Sequence, residues 1–332
     1  MQDVADILDR QLLDDWQRDF PIVSKPFAEL AKSLGTSEAD VLERLIALRN
    51  EGRITRVGAT CAPNTLSAST LAAVAAPQGR VEEVAAIINQ EPGVNHSYER
   101  ENHWNLWFVA TGSDRDAVDD LLDRIAQRTG LRVMDLRLRQ PFNIDLGFKM
   151  TSGGAPICHP AKRTADPSAI VEGDKALMNI LSIGMPLTEA PYKVIADQLH
   201  RSESDVMERV AALTEAGILS RLGVIVRHRT LGWKSNAMVV WKLPQDQVKA
   251  AGKQLAALPG ITLCYERRPV PDVWPYRLYC MIHAQSRADA LAVLAKAEVL
   301  SELQDVDHEV LFSTRCFRQK GAVIDQAKGV PA

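Results

Sequence analysis

The chain has few cysteines, few aromatic residues and little net charge, and these shortages exclude several classes of protein. Its five cysteines include no CxxC pair, which argues against a structural metal or a disulfide framework and fits a reducing compartment. A formal net charge of −3 provides no overall basic field for nucleic acid or an anionic membrane. No run of 18 apolar residues and no signal-peptide pattern occurs, so we expect an unanchored cytoplasmic protein.

Common catalytic motifs are missing as well. The sequence contains no P-loop, no GxGxxG after a strand, no HExxH and no GxSxG, so nucleotide hydrolysis, dinucleotide redox chemistry and serine hydrolysis lack support. What is present is a soluble globular composition, 46% hydrophobic and 24% charged, in a chain of 332 residues. That length, about twice the usual size of a single domain, predicts two domains.

An internal repeat organises the chain. Residues 37–58, SEADVLERLIALRNEGRITRVG, match residues 202–223, SESDVMERVAALTEAGILSRLG, with about half the positions identical. Downstream, HSYERENHWNLWFVATG from His96 matches LCYERRPVPDVWPYRLYCMIHA from Leu263. A Gly-, Pro- and Ser-rich stretch separates the two copies and predicts a linker at 150–169.

Each copy begins with a helical period and then changes to strands. Apolar residues three and four apart predict two short helices and a tight turn, and RITRVGA or ILSRLGV then supplies a strand or wing. After it we predict the order βαββαβ, with final strands at 131–138 and 306–312. The predicted fold is α+β, a tandem repeat of a winged helix-turn-helix and a ferredoxin-like domain. The predicted boundaries are 1–65, 66–149, linker 150–169, 170–230 and 231–325.

This arrangement resembles the Lrp/AsnC class of transcription regulators, which makes a ligand-sensing DNA-binding regulator one alternative. The candidate recognition helices argue against it, because 36–51 carries Arg44 and Arg49 beside four acidic residues and 202–216 offers only Arg209 beside four. Approach to phosphates requires cations, so we expect no nucleic-acid partner.

An enzyme branch of the same architecture is a closer match. The blocks YERENHWNLWFVATG and YERRPVPDVWPYRLYCMIHA, the paired RITRVGA and ILSRLGV, and FNIDLGF at 142–148 resemble siroheme decarboxylases of the NirD/NirL and AhbA/AhbB types. The first half looks like a D-type subunit and the second like an L-type subunit. The resemblance implies a lyase of heme d1 biosynthesis that converts siroheme to 12,18-didecarboxysiroheme. It implies no cofactor besides the substrate's own iron, and a homo-oligomer or a complex with G- and H-type subunits.

The residues of the paired blocks suit such a substrate, a flat macrocycle edged with carboxylates. Four of the five tyrosines lie in them, although alternate apolar members also suit a sheet core. Arginine pairs a carboxylate through two hydrogen bonds. The alternative is a solvated strand edge for the arginines of the paired blocks, and pairing with a nearby acid for Arg56 and Arg221. The predicted substrate-binding residues are Arg100, Trp104, Asn105, Arg56, Arg221, Tyr265, Arg267, Arg268 and Arg277.

Decarboxylation needs a general acid, because the carbon that loses carbon dioxide must gain a proton. Histidine titrates nearest neutrality, so His103 is the first candidate and His283 the second. Tyr98 is a third, as a hydrogen-bond donor to the substrate or as a packing residue. A tetrapyrrole carrier without catalysis remains an alternative that the sequence leaves open.

Overall fold

The computed structural model describes residues 6–143, 164–227, 232–322 and 324, together with the backbone of 146–147 and 157–158. The first half contains α1 (Ile7–Asp14), α2 (Pro26–Leu34), α3 (Glu38–Asn50), β1 (Ile54–Cys61), β2 (Ala68–Val74), α4 (Val81–Gln90), β3 (Val94–Arg100), β4 (Leu106–Gly112), α5 (Arg115–Thr129), β5 (Val133–Leu136) and β6 (Leu138–Asn143). Residues 150–156 and 159–163 of the predicted linker lie outside the described residues. The short strand β7 (Leu146–Gly147) pairs with β8 (Ile157–Cys158).

The second half repeats this order. It contains α6 (Asp174–Ile183), α7 (Pro191–Leu199), α8 (Glu203–Glu215), β9 (Leu219–Val226), β10 (Ser235–Trp241), α9 (Val248–Ala257), β11 (Ile261–Arg267), β12 (Leu278–Ala284), α10 (Arg287–Glu298) and β13 (His308–Gln319). The predicted tandem of helix-turn-helix and ferredoxin-like units is therefore confirmed.

The helix-turn-helix units begin and end at residues that the repeat preserves. Pro26 and Pro191 occupy the first turns of α2 and α7, where their missing N–H groups cost nothing. Ser37 and Ser202 cap α3 and α8 by accepting hydrogen bonds from the amides of Asp40 and Asp205. The apolar faces of these helices from both halves form one shared core.

Nine strands of the described chain form one sheet, in the order β5-β2-β4-β3-β13-β10-β12-β11-β6. Within each half the ferredoxin-like order is complete, and the last strand then continues into the other half. Strand β13 pairs with β10 through residues 308–312 and with β3 through residues 313–319. Strand β5 pairs with β2 in its own half. Strand β6 follows β5 after a single intervening residue and pairs with β11 of the other half.

These continuations correct the predicted ends of the final strands, 138 and 312, because pairing runs on to Asn143 and Gln319. The added segments, RQPFN in β6 and STRCFRQ in β13, are polar at most positions. They therefore lack the apolar alternation from which a strand could be predicted. Backbone pairing across the halves, rather than apolar burial, extends these strands. A buried cluster between the halves, including Trp107, Tyr279 and Met281, packs beneath the joined sheet.

The predicted wing strands pair with each other instead of forming separate hairpins. β1 and β9 make an antiparallel two-stranded ribbon in which Gly58 lies opposite Gly223. Both glycines are tightly enclosed, since a Cβ on Gly58 would lie 2.4 Å from the carbonyl oxygen of Leu181, and one on Gly223 would lie 2.5 Å from that of Trp16. The ribbon can approach the neighbouring backbone this closely only without side chains at these positions.

Gly58→Ala should therefore destabilise the protein, by about 1–3 kcal/mol, which is typical of an overpacked site. Urea unfolding followed by circular dichroism measures the change. Gly79→Ala is the matched control, because a Cβ there meets no atom within 4 Å. Equal unfolding midpoints for the two variants would contradict the close approach of the ribbon.

Candidate active site

A cavity of about 480 Å³ is lined by the β1–β9 ribbon and by strands of both ferredoxin-like units. Its apolar walls come from the sheet and include Leu71, Trp107, Met238, Leu263 and Met281. Neither half encloses it alone, because both strands of the ribbon and strands of both ferredoxin-like units contribute residues. A flat apolar ligand with a polar edge fits this combination of walls.

The charged side chains among the described residues that line the cavity are all positive. No Asp or Glu lies among the described residues that line it, although the whole chain has 42 acidic residues against 39 Lys and Arg. The lining cations are Arg56, Arg100, Arg221, Arg267 and Lys320. Buried cations without matching acids are costly, and an anionic ligand offsets that cost. The cavity is therefore built for an anion with several negative charges.

Arg56 on β1 and Arg221 on β9 come from the ribbon. Burial, together with the nearby charge of Arg221, lowers the pKa of Arg56 to about 10, and burial alone lowers that of Arg221 to about 10. The Arg56 guanidinium donates to the carbonyl of Ala59 at 3.3 Å and to the hydroxyl of Thr55 at 3.5 Å. Within the described chain no carboxylate pairs with Arg56, so its charge is available to a ligand.

Arg100 and Arg267 occupy equivalent positions at the ends of β3 and β11. Each donates across the halves to a strand carbonyl, Arg100 to Leu311 at 3.0 Å and Arg267 to Leu136 at 2.7 Å. Each guanidinium also lies over the tyrosine two residues before it, Tyr98 at 5.6 Å and Tyr265 at 4.5 Å from the ring centroid. These contacts fix the direction of both side chains, and the two tyrosines line the same cavity.

His283 lies buried in the cavity wall and is held from both ring nitrogens. Its Nε2 is 2.8 Å from the amide nitrogen of Asn236, which lies opposite it on β10, and its Nδ1 is 2.7 Å from the hydroxyl of Thr262. The Thr262 hydroxyl in turn donates to the carbonyl of Met281. Of the three predicted catalytic residues, the structure brings His283 and Tyr98 to the cavity.

The structure does not bring His103 to the cavity. His103 is exposed in the turn between β3 and β4, and its ring contacts Trp104 edge-on. His103 belongs to a block that carries the resemblance, but it is not among the residues that line the cavity. Its role as proton donor therefore has no geometric support.

Four predicted substrate-binding residues also lie outside the cavity. Asn105 uses its side-chain amide to hold both the N–H and the C=O of Ala76, and Trp104 packs against the cluster between the halves. Arg268 is exposed, and Arg277 donates to Gln245. All four lie on turns or strand edges. For Arg268 and Arg277 this is the solvated strand edge that the sequence left open as the alternative.

Sequence reasoning missed His96, which lines the cavity from β3. Its Nδ1 is 2.7 Å from the side-chain oxygen of Asn95, and its ring stacks on Tyr98 with centroids 6.4 Å apart. Burial, and then the charge of Arg56, lowers the pKa of His96 to about 4, so the ring is neutral at pH 7. The signal was strand alternation, since His96, Tyr98 and Arg100 are two residues apart.

Two of the three arginines on the candidate recognition helices, Arg44 and Arg209, are held in ion pairs. Arg44 of α3 is tied to Asp6, Asp9 and Asp40, and Arg209, the one cation of α8, pairs with the fully buried Asp174. These ion pairs use the arginines to hold the helices to their neighbours. The geometry thus adds to the electrostatic argument against DNA binding.

Two further classes of feature are not found in the described residues. They contain no group of three or more His, Cys, Asp or Glu side chains arranged to hold a metal ion. None of their helices combines the length and hydropathy that a membrane span requires.

Comparison with known proteins identifies the family. The family model described as an AsnC-like ligand binding domain matches residues 66–142 and 230–318, and the one described as a siroheme decarboxylase NirDL-like HTH domain matches residues 9–54 and 174–219. The siroheme decarboxylase NirDL subunit of Paracoccus denitrificans (strain Pd 1222) is 55% identical over 96% of this chain and 98% of its own.

Two other proteins match this chain, one over a single half and one, a solved structure, over nearly the full length. The siroheme decarboxylase NirD subunit of Stutzerimonas stutzeri, a separate chain, is 45% identical over 44% of this chain and 95% of its own. A crystal structure of the siroheme decarboxylase NirDL in co-complex with an iron-uroporphyrin III analogue superposes with a TM-score of 0.68 and 25% identity, covering 96% of this chain and 94% of that one. With both repeats matched along nearly its full length, this chain belongs to the siroheme decarboxylase NirDL family.

Proposed function

We propose that this protein is a lyase that converts siroheme to 12,18-didecarboxysiroheme by removing carbon dioxide from two acetate side chains, a step of heme d1 biosynthesis. The observation that carries the proposal is the cavity with its five cations and, among its described lining residues, no acid. Siroheme is an apolar disc edged with carboxylates, so the sheet supplies the walls and the arginines bind the edge. Family membership supports the same activity.

The arginines bind and orient the substrate rather than react with it. Arg56 and Arg221 reach the cavity from the ribbon, while Arg100 and Arg267 reach it from the sheet, so carboxylates are held from two sides. Holding the other acids fixes the position of the acetate that reacts. The apolar wall around that acetate excludes water and disfavours its charged form relative to neutral carbon dioxide.

Proton transfer falls to the histidines that line the cavity, one from each half. Loss of carbon dioxide leaves an electron pair that the ring takes up, and the remaining carbon must then gain a proton. His96 is neutral in the free protein, and an anion bound at Arg56 removes part of the charge that lowers its pKa. His283 lies on the opposite half of the wall, and Tyr98 orients His96 by stacking.

The remaining expectations from the resemblance stay proposals. We infer that the reaction uses no organic or redox cofactor, because the iron belongs to the substrate and the change is a loss of carbon dioxide with gain of a proton. Assembly with a second copy or with G- and H-type subunits remains a prediction. The occurrence of NirD as a separate chain in a relative supports an active unit built from two halves.

Anaerobic incubation of the purified protein with siroheme tests the activity directly. Mass spectrometry of the extracted tetrapyrrole should show the loss of two carbon dioxide masses. Unchanged siroheme that co-purifies with the protein would instead support a carrier. Siroheme that neither reacts nor binds would contradict both the decarboxylase and the carrier hypothesis.

Arg267→Gln should weaken siroheme binding by about 10- to 100-fold, since a hydrogen bond to a charged partner contributes about 1.5–3 kcal/mol. Arg268→Gln is the matched control, because Arg268 is the next residue but is exposed outside the cavity. Titration of the Soret absorbance measures both dissociation constants. The same affinity for both variants would return Arg267 to a structural role.

The variants His96→Gln and His103→Gln make the same change at positions seven residues apart, and together they show which of the two histidines acts as the general acid. Removal of a general acid typically costs about 10²–10⁴ in rate, so we expect His96→Gln to lower kcat by at least about 100-fold with little change in binding. His103→Gln should retain the wild-type rate, because its side chain lies outside the cavity. Loss of activity in His103→Gln alone would contradict the assignment.

A further inference from the structure

The hydrogen bonds around His283 form a chain whose direction is fixed at both ends. At one end Arg100, which can only donate, donates to the side-chain oxygen of Asn236 at 3.2 Å. At the other end the carbonyl of Met281, which can only accept, accepts from the hydroxyl of Thr262 at 2.9 Å. His283 lies between Asn236 and Thr262, so its own donor and acceptor positions are determined by its neighbours.

The amide of Asn236 cannot be reversed while Arg100 holds its oxygen. Its NH₂ group therefore donates to Nε2 of His283, which must carry a lone pair and no proton. The single ring proton lies on Nδ1 and is donated to the oxygen of Thr262. A second proton on Nε2 would face the N–H of Asn236, so this arrangement holds the ring neutral.

The first half has no such chain. The position equivalent to His283 is Thr111, and the position equivalent to Asn236 is Ser69, each paired across the strands in the same register. Asn95 donates to Thr111 there and contacts His96 through its oxygen. The arginine is shared, because Arg100 comes from the first half and reaches Asn236 in the second. The chain thus connects a ligand-binding arginine of one half to a histidine of the other.

We propose that Asn236 is a positioning residue that couples occupation of Arg100 by a substrate carboxylate to protonation of His283, a role that rests on the proposed function. When Arg100 turns to a carboxylate, the oxygen of Asn236 is released and its amide can reverse. That oxygen then accepts a hydrogen bond from Nε2–H, and His283 takes the additional proton from solvent. His283 is then charged only when the anion is in place.

The other charged groups of the cavity also favour protonation of His283 only after an anionic ligand has bound. The titratable or charged side chains that line it with His283 include Arg56 from β1, His96 and Arg100 from β3, Arg221 from β9, Arg267 from β11 and Lys320 after β13. In the free protein the cations oppose a charged imidazole. A ligand with several carboxylates offsets them, while the Asn236 chain determines which nitrogen receives the proton.

Nitrogen NMR of the full-length protein labelled with ¹⁵N-histidine tests the coupling. His283→Gln identifies the His283 signals by their loss. In the free protein we expect Nδ1 protonated and Nε2 unprotonated at pH 7, and saturation with metal-free uroporphyrin III, a diamagnetic and unreactive probe, should protonate Nε2. A free protein with the proton on Nε2, or a saturated complex with an unchanged Nε2 signal, would overturn the proposal.

Asn236→Asp provides the second arm, because a carboxylate accepts from both Arg100 and Nε2–H. In this variant Nε2 should be protonated without any ligand. Asn95→Asp is the matched control, which adds the same charge to the same cavity beside His96, and it should leave the His283 signals unchanged. An unprotonated Nε2 in Asn236→Asp would count against Asn236. Failure of uroporphyrin to bind would contradict the proposed function instead, and the free-protein spectra would still decide the role of Asn236.

Discussion

Burial of several arginines in a cavity whose described lining contains no acid is the constraint on which the site depends. In the free protein, carbonyl oxygens and aromatic rings offset part of the free-energy cost of burying these charges. Arg267, for example, donates to the carbonyl of Leu136 and lies over the ring of Tyr265. The rest of the cost remains, because burial lowers the pKa of Arg56 and of Arg221 only to about 10 and both stay charged at pH 7. Carbonyl and ring partners do not replace a counter-charge, so an anionic ligand stabilises the arrangement.

The scaffold is nearly two-fold symmetric, but the chemistry on it is not. The pairs Arg100 with Leu311 and Arg267 with Leu136 repeat the same contact in both directions across the halves. The histidines break this symmetry, because Thr111 replaces His283 in the first half. A symmetric scaffold thus binds a roughly symmetric disc, while single histidines act at particular points of its edge.

The fold could be predicted because its signals are local. The repeated blocks, the helical periods and the change from helices to strands can each be recognised within a short window of sequence, and together they predict the order of elements in both halves. The continuation of β13 to Gln319 could not be read in this way, because its pairing partner β3 lies over 200 residues away and its own residues are mostly polar. Long-range pairing leaves little trace in a single sequence.

The site was only partly predictable for the same reason. Tyr98, Arg100, Tyr265 and Arg267 could be identified because the repeat preserves them on strands. His103 lies outside the cavity, which the sequence could not show because a motif does not indicate which way a turn projects. His96 was missed because its repeat partner is Leu263, so the comparison of halves concealed it, although strand alternation with Tyr98 indicated it.

The most direct test of the central claim is a crystal structure of this protein with uroporphyrin III. We expect the macrocycle in the cavity between the ribbon and the sheet, with carboxylate oxygens within hydrogen-bond distance of Arg56, Arg100, Arg221 and Arg267. A macrocycle bound elsewhere, or bound in the cavity with its carboxylates directed to solvent and away from these arginines, would contradict that claim.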